Sequence, residues 1–226
     1  MLESLAKQII AQLEQDYDHI AAHFSNTRHA AWPEFELLRA LIEQSEHPTA
    51  IQLLDIGCGN GRLADSIPAV HYTGLDLSRQ LLTLAQQRYP RYQFVHGSML
   101  RLPFDDGQFD IVACVAALQH IPSQAYRRQA IDEMVRVLKP TGKLFMLNWN
   151  LTEQSQYQPH QAGADYDAGD YLIPWKNDQG EIQAKRYYHG FTVPELLAYA
   201  EQAGLQIIKN EPGTAQRNLV TIAEKP

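Results

Sequence analysis

The sequence contains no run of apolar residues approaching the roughly 20 needed to cross a bilayer as a helix, so no membrane partner is expected. Cysteine is nearly absent: Cys58 and Cys114 are the only two in 226 residues. Two cysteines cannot build a disulfide framework, and they suit a reducing cytoplasm. Basic residues are also in deficit, with 19 Lys and Arg against 26 Asp and Glu. A net charge of −7 does not advertise a nucleic-acid binder, although a local basic cleft can coexist with an acidic remainder. The first residues, Met-Leu-Glu-Ser-Leu-Ala-Lys-Gln, begin an amphipathic helix rather than a signal peptide. No internal repeat or low-complexity tract is present. The length fits one medium domain with a full core.

What the chain does have is concentrated at residues 51–63, Ile-Gln-Leu-Leu-Asp-Ile-Gly-Cys-Gly-Asn-Gly-Arg-Leu. An apolar run ends in three alternate glycines, and a new apolar periodicity starts at Leu63. That pattern predicts a buried parallel strand, a tight turn and a helix over 61–67. Glycines at 57, 59 and 61 let the backbone take unusual dihedrals and let a ligand approach closely. A dinucleotide fingerprint would need a glycine at 62, where Arg62 stands. Instead Asp55 precedes the first glycine by two residues, placing a carboxylate beside a cationic ligand. A second acid, Asp76, closes the next strand, where doubly wound folds accept ribose hydroxyls. Ribose plus a positively charged amino acid, without pyrophosphate, describes S-adenosylmethionine (SAM) better than NAD.

"LLDIGCGNGRL" followed by "YTGLDLS" resembles motifs I and II of the class I SAM-dependent methyltransferases. The resemblance implies a doubly wound α/β fold: a mostly parallel seven-stranded Rossmann-like sheet with an antiparallel last strand. It implies a cofactor site of Asp55, Gly57, Cys58, Gly59, Asn60, Gly61, Asp76, Leu77, Ser98, Met99 and Val115. Ser98 departs from the acid usual at that place, and Met99 would flank adenine or fill core. Cys58 reads either as a thiol at a helix start or as a small residue of a tight turn.

Periodicity places helices at 2–24 and from Pro33, a pair expected over the cofactor mouth. It then places strands at 70–75, 92–96, 109–115, 143–149, 205–209 and 217–224, and helices at 79–88, 123–138 and 193–203. The expected division is a helical cap (1–48), a SAM-binding core (49–149), a substrate lid (150–190) and a terminal helix with two strands (191–226). The lid is expected because forty polar residues without periodicity inside a compact domain are more often functional than idle.

Further segments, "YDHIAAHFSNTRHAAWP", "AALQHI", "NW", "IPW" and "RYYHGFT", resemble the tRNA methyltransferases that esterify 5-carboxymethyluridine at the wobble position. That resemblance implies tRNA as substrate and, as for its eukaryotic members, a small activator protein as partner. Methylating a carboxylate needs no catalytic base. It needs cations that hold the acid, and Arg28, Arg186 and His189 are expected to do so, with His120 beside the methyl-transfer centre. Trp32, Trp149, Trp175, Tyr187 and Tyr188 are expected to stack on an extruded base or exclude water. Adjacent Tyr187 and Tyr188 cannot both face one pocket if the segment is extended. Gln119 stands where the group tends to have histidine. Arg28 and His29 would otherwise cap the first helix. His19 and His23 lie one turn apart without a third ligand, so no metal site is expected. The competing readings are a methyltransferase of a small carboxylic acid and a SAM-binding subunit without chemistry.

Overall fold

The computed structural model describes every residue except His29, Glu46 and Ala69. The reading of His29 as a cap therefore lies outside the described residues. Two helices, α1 (Glu3–Thr27) and α2 (Phe35–Glu43), precede the first strand. The central sheet contains β1 (Gln52–Ile56), β2 (His71–Asp76), β3 (Gln93–His96), β4 (Phe109–Val115), β5 (Leu138–Trp149), β8 (Gln206–Pro212) and β9 (Asn218–Glu224). Their order across the sheet is β3-β2-β1-β4-β5-β9-β8. Neighbours from β3 to β5 pair in parallel, and β9 runs antiparallel to both β5 and β8. This is the expected Rossmann-like sheet, with α3 (Arg79–Arg88), α4 (Gln124–Val137) and α5 (Val193–Gln202) as connections.

Both faces of the sheet are buried, which explains the near-continuous apolar strands. One face carries Leu54, Ile56, Val112, Leu144 and Met146 against α4 and α5 residues such as Ile131, Met134 and Leu196. The other carries Leu53, Ile111, Phe145 and Leu147 against Phe35, Leu38 and Ile42 of α2. The helical pair thus divides: α2 covers a sheet face, while α1 lies over the carboxyl ends of the strands. Among the described residues no helix is long and apolar enough to cross a membrane.

Three expectations fail for physical reasons. The helix expected over 61–67 is only a 3₁₀ turn at Arg62–Asp65, because Pro68 disfavours helical dihedrals just before it. The strand expected at 143–149 starts earlier, since β5 begins at Leu138 directly after the helix and bends through Thr141 at φ 63°. The stretch 150–190, expected as a lid without periodicity, contains regular structure. After a 3₁₀ segment at Ser155–His160 it forms an antiparallel hairpin of β6 (Asp170–Lys176) and β7 (Ile182–His189). That hairpin packs beside α1, whose Ile20 meets Trp175 and Ala184.

Candidate active site

A cavity opens at the carboxyl ends of β1, β2 and β4, where the strand order switches direction and ligands of open α/β sheets bind. It is lined by the glycine turn, Asp55, Asp76, Leu77, Gly97, Ser98, Met99, Val115 and His120, and covered by Ile10, Leu13, Glu14, Tyr17 and Phe24 of α1. Gly57, Gly59 and Gly61 all have positive φ, between 56° and 75°. At Gly57 a Cβ would lie 2.2 Å from that of Ala117, so the turn is closed to side chains where it meets the end of β4.

The two acids differ in their partners. Asp76 accepts N–H bonds from Gly59 and Ser78, both at 2.8 Å. Burial nonetheless raises its pKa, opposed by those N–H groups. Asp55 accepts a 2.6 Å bond from the Tyr72 hydroxyl on one oxygen, while its other oxygen is buried without a partner. Burial, only partly offset by Tyr72, pushes its pKa up to about 7. An orphaned acceptor in a ligand-sized cavity calls for a donor, and the ammonium of an amino-acid ligand supplies one. The site therefore fits SAM, whose amino group would meet the free Asp55 oxygen, whose backbone approach the glycine turn would allow, and whose ribose would lie at Asp76. Cys58 is a buried small residue of the turn whose thiol is pushed well above its usual pKa by burial, so it is no nucleophile. Ser98 Oγ accepts the Leu100 N–H at 3.2 Å.

Arg62 was missed by sequence reasoning. It lines the same cavity, and its guanidinium lies 4.5 Å from the Trp32 ring centroid. Its position directly after the third glycine was the available signal. Trp32, expected near substrate, stacks on Phe35 in the layer of α2 instead and stands apart from the other aromatic candidates.

Those others converge where α1 meets the hairpin. Arg186 on β7 is 4% exposed and is ringed by Tyr17, Trp175 and Tyr188, with centroid distances of 5.5, 4.7 and 5.2 Å. It donates to the Tyr17 hydroxyl at 3.0 Å, while its Nε has no acceptor. Among the described residues no carboxylate lies within 4.0 Å of it. The Tyr17 hydroxyl is also 2.9 Å from His120 Nε2, and His120 Nδ1 is 2.9 Å from the Tyr187 carbonyl. These contacts fix one consistent arrangement: Nδ1 donates to the carbonyl, Nε2 accepts from Tyr17, and Tyr17 accepts from Arg186. Burial, helped by the Arg186 charge, pulls the His120 pKa down to about 3, leaving it neutral. Tyr188 stacks on Trp149 at 5.3 Å and lies against His120 at 4.4 Å. Gln119 ties this corner to β5 by accepting the Trp149 N–H at 2.7 Å.

The period-two alternation of a strand separates the remaining candidates. Arg186 and Tyr188 share one face of β7, whereas Tyr187 and His189 occupy the other. His189 is not beside Arg186 but held between Asp170 at 2.7 Å and Glu195 at 2.9 Å. Burial would lower its pKa, yet the two carboxylates outweigh that and raise it. Already paired, it cannot offer its charge to an acid at Arg186. Tyr187 donates to Asp170 of the neighbouring strand at 2.7 Å and accepts from Arg127 of α4 at 3.5 Å. Tyr187, through Arg127, and His189, through Glu195, thus tie the hairpin to α4 and α5. His23 accepts the Trp175 indole N–H at 3.0 Å, and His19 lies 3.4 Å from Gln183. The histidine pair thus docks α1 on the hairpin.

Residues 54–146 match the methyltransferase domain family. A putative methyltransferase of Encephalitozoon cuniculi is 32% identical over 92% of this chain and 93% of its own length. A tRNA (carboxymethyluridine(34)-5-O)-methyltransferase of Schizosaccharomyces pombe is 31% identical over 94% of this chain and 96% of its own length. Among solved structures, a SAM-dependent methyltransferase of Methanosarcina mazei superposes with a TM-score of 0.70 at 22% identity, covering 86% of this chain and 98% of that one. The chain is a SAM-dependent methyltransferase, and it belongs to the class I family that includes the tRNA (carboxymethyluridine(34)-5-O)-methyltransferases.

Proposed function

We propose that the chain methylates the carboxylate of a modified wobble uridine in tRNA, forming a methyl ester. The observation that carries this reading is Arg186: a buried guanidinium without an acid partner, linked through Tyr17 to a residue that lines the cofactor cavity. An unpaired buried charge is costly unless a ligand completes it. A guanidinium grips a carboxylate through parallel N–H bonds, and Nε is a donor in hand. The relative of known substrate class supports tRNA as the carrier of that acid.

Bound SAM supplies a methyl group on a sulfonium, which departs as a neutral thioether. The chain's residues contribute placement and dryness. Arg186 orients one acid oxygen, while Tyr17 and the aromatic wall of Trp149, Trp175 and Tyr188 exclude water around it. A carboxylate attacks as the anion, so no proton moves. Neutral His120 holds the Tyr17 hydroxyl and is not required as a base. In this reading α1 and the β6–β7 hairpin wall the acceptor site, and residues 49–149 hold the cofactor.

The test compares tRNA bearing 5-carboxymethyluridine with tRNA bearing the neutral carbamoylmethyl analogue. The acid is expected to be methylated and the amide to be inert and a poor competitor. Equal binding of the amide would sink the assignment of Arg186.

A further inference from the structure

The β6–β7 hairpin that carries Arg186 forms a two-stranded sheet of its own, without a backbone ladder to the central sheet. A ribbon of two strands is marginal in water unless it packs on something, so side chains must hold it in place. On one side it leans on α1, where Ile20 meets Trp175 and Ala184. Arg28, at the end of that helix, lies 5.2 Å from the Trp175 ring centroid. At the base of the hairpin, where Asp170 pairs with His189, polar groups reach across to α4 and α5.

His189 is 4% exposed, and both of its ring nitrogens meet carboxylates. Nδ1 lies 2.7 Å from Asp170 Oδ1, and Nε2 lies 2.9 and 3.1 Å from the two Glu195 oxygens. A neutral imidazole has one N–H and one lone pair, so it satisfies only one of two carboxylates. The imidazolium satisfies both. The partners decide which proton is the dispensable one. Asp170 Oδ1 also accepts the Tyr187 hydroxyl at 2.7 Å, and its Oδ2 accepts the Asp167 N–H at 3.0 Å. Asp170 is thus an acceptor on every side, which keeps a proton on Nδ1. The proton that can leave is the one on Nε2. The Asp170 bond stays within the hairpin, whereas the Glu195 bond crosses to α5.

The other charged groups around this cluster are already engaged. Arg127 of α4 donates to the Tyr199 hydroxyl at 3.1 Å and to the Ile121 carbonyl at 3.3 Å, and lies 3.8 Å from Asp167. Asp167 also pairs with the N-terminal ammonium of Met1. Glu3, on the same surface cavity, pairs with Lys7. Glu195 stands in the first turn of α5, where a carboxylate is favoured. Burial opposes its charge, yet the His189 bond outweighs burial and lowers its pKa. For His189 burial, and to a lesser degree Arg127, oppose the imidazolium, but Asp170 and Glu195 prevail and raise its pKa above 6.5. A raised pKa means that the link is fully present below 6.5 and is lost as pH rises through the raised value.

We propose that the Nε2 proton of His189 fastens the base of the hairpin to α5 and so positions Arg186, making acceptor binding depend on that proton. The consequence for the acceptor rests on the reading of Arg186 given above; the fastening itself does not. His189 is a positioning residue in this scheme and touches no substrate.

Glu195→Gln separates this scheme from a merely structural one. A glutamine amide accepts from the imidazolium and donates to the neutral ring, so its link to His189 survives deprotonation. The experiment follows the full chain and E195Q from about pH 6 to about pH 9. It reads the His189 ring by nitrogen NMR and the protection of the β6 and β7 amides by hydrogen exchange corrected for intrinsic rates. The same series gives kcat and KM for tRNA bearing 5-carboxymethyluridine and the affinity for SAM. In the parent the ring should carry two protons at the acid end. Protection around Asp170 and His189 should then fall about tenfold or more as Nε2 is deprotonated, the weight of one charge-assisted hydrogen bond. E195Q should keep its protection throughout. At the alkaline end the parent's KM for tRNA should exceed that of E195Q by about tenfold, with equal kcat. Glu195 lies outside the cofactor cavity, so SAM affinity in the two proteins should agree within about twofold at each pH.

A His189 ring with a single proton at the acid end, or constant protection in the parent, would overturn the proposal. So would an E195Q that loses protection in step with the parent. Protection that falls while KM for tRNA does not would overturn the link to Arg186. If neither protein methylates tRNA, the tRNA reading fails by itself, and the ring spectra and exchange still decide the fastening.

Discussion

Replacing Arg186 with glutamine removes a charge while keeping a planar donor in the aromatic cage. In the free protein the guanidinium makes one neutral hydrogen bond, to Tyr17 at 3.0 Å, and faces three rings. Each cation–π contact contributes about 0.5–2 kcal/mol, against several kcal/mol for burying an unpaired charge. These nearly cancel, so R186Q should change stability by no more than about 1 kcal/mol, or about 2–4 °C in Tm for a chain of this size. With substrate bound the balance changes, because two charge-assisted bonds of about 1.5–3 kcal/mol each are lost. At 1.4 kcal/mol per tenfold, kcat/KM should fall by about 10²–10⁴. Arg186 does not line the cofactor cavity, so SAM affinity should stay within about twofold. Steady-state kinetics with tRNA, calorimetry with SAM and a thermal melt separate these quantities. A drop in Tm of 10 °C, or a parallel loss of SAM binding, would refute the reasoning. The first would make Arg186 a structural residue, and the second a cofactor ligand.

Other expectations follow from the cofactor side. Asp55 has a folded pKa of about 7, above its unfolded value, so its contribution to stability is fully present below pH 3.8 and is lost as pH rises through 7. Asp55→Asn should therefore raise the Tm of the free protein at pH 8, by about 2–4 kcal/mol of stability at most, while abolishing the rise in SAM affinity from pH 6 to 8; a lower Tm at pH 8 would contradict this. Gly57→Ala meets both a φ of 71° and a 2.2 Å approach to Ala117. It should cost at least about 2 kcal/mol by thermal melt and weaken SAM more than tenfold, and a neutral effect on both would show that the turn adapts.

The cofactor half was legible because its physics is local. A continuous apolar strand, alternate glycines and an acid at each strand end all fall within residues 51–76, and the structure places them around one cavity. The acceptor half was not, because buried positions of the hairpin carry Asp170, Arg186 and His189 rather than apolar side chains. Their burial depends on the tertiary fold, as when Tyr17 of α1 accepts from Arg186, so the period-two signal of β6 and β7 was hidden. Tyr17 shows the same limit. It lies within the helix expected over 2–24, and only the fold brings its hydroxyl between Arg186 and His120. The division between Arg186 and His189 needed a strand register that the sequence alone could not supply.

The most direct test of the central claim is methyl transfer from labelled SAM into total tRNA, followed by digestion to nucleosides and mass measurement. The account predicts label in a uridine derivative, released by mild alkali as an ester must be. Label stable to alkali, or label found only in a small-molecule extract, would contradict it.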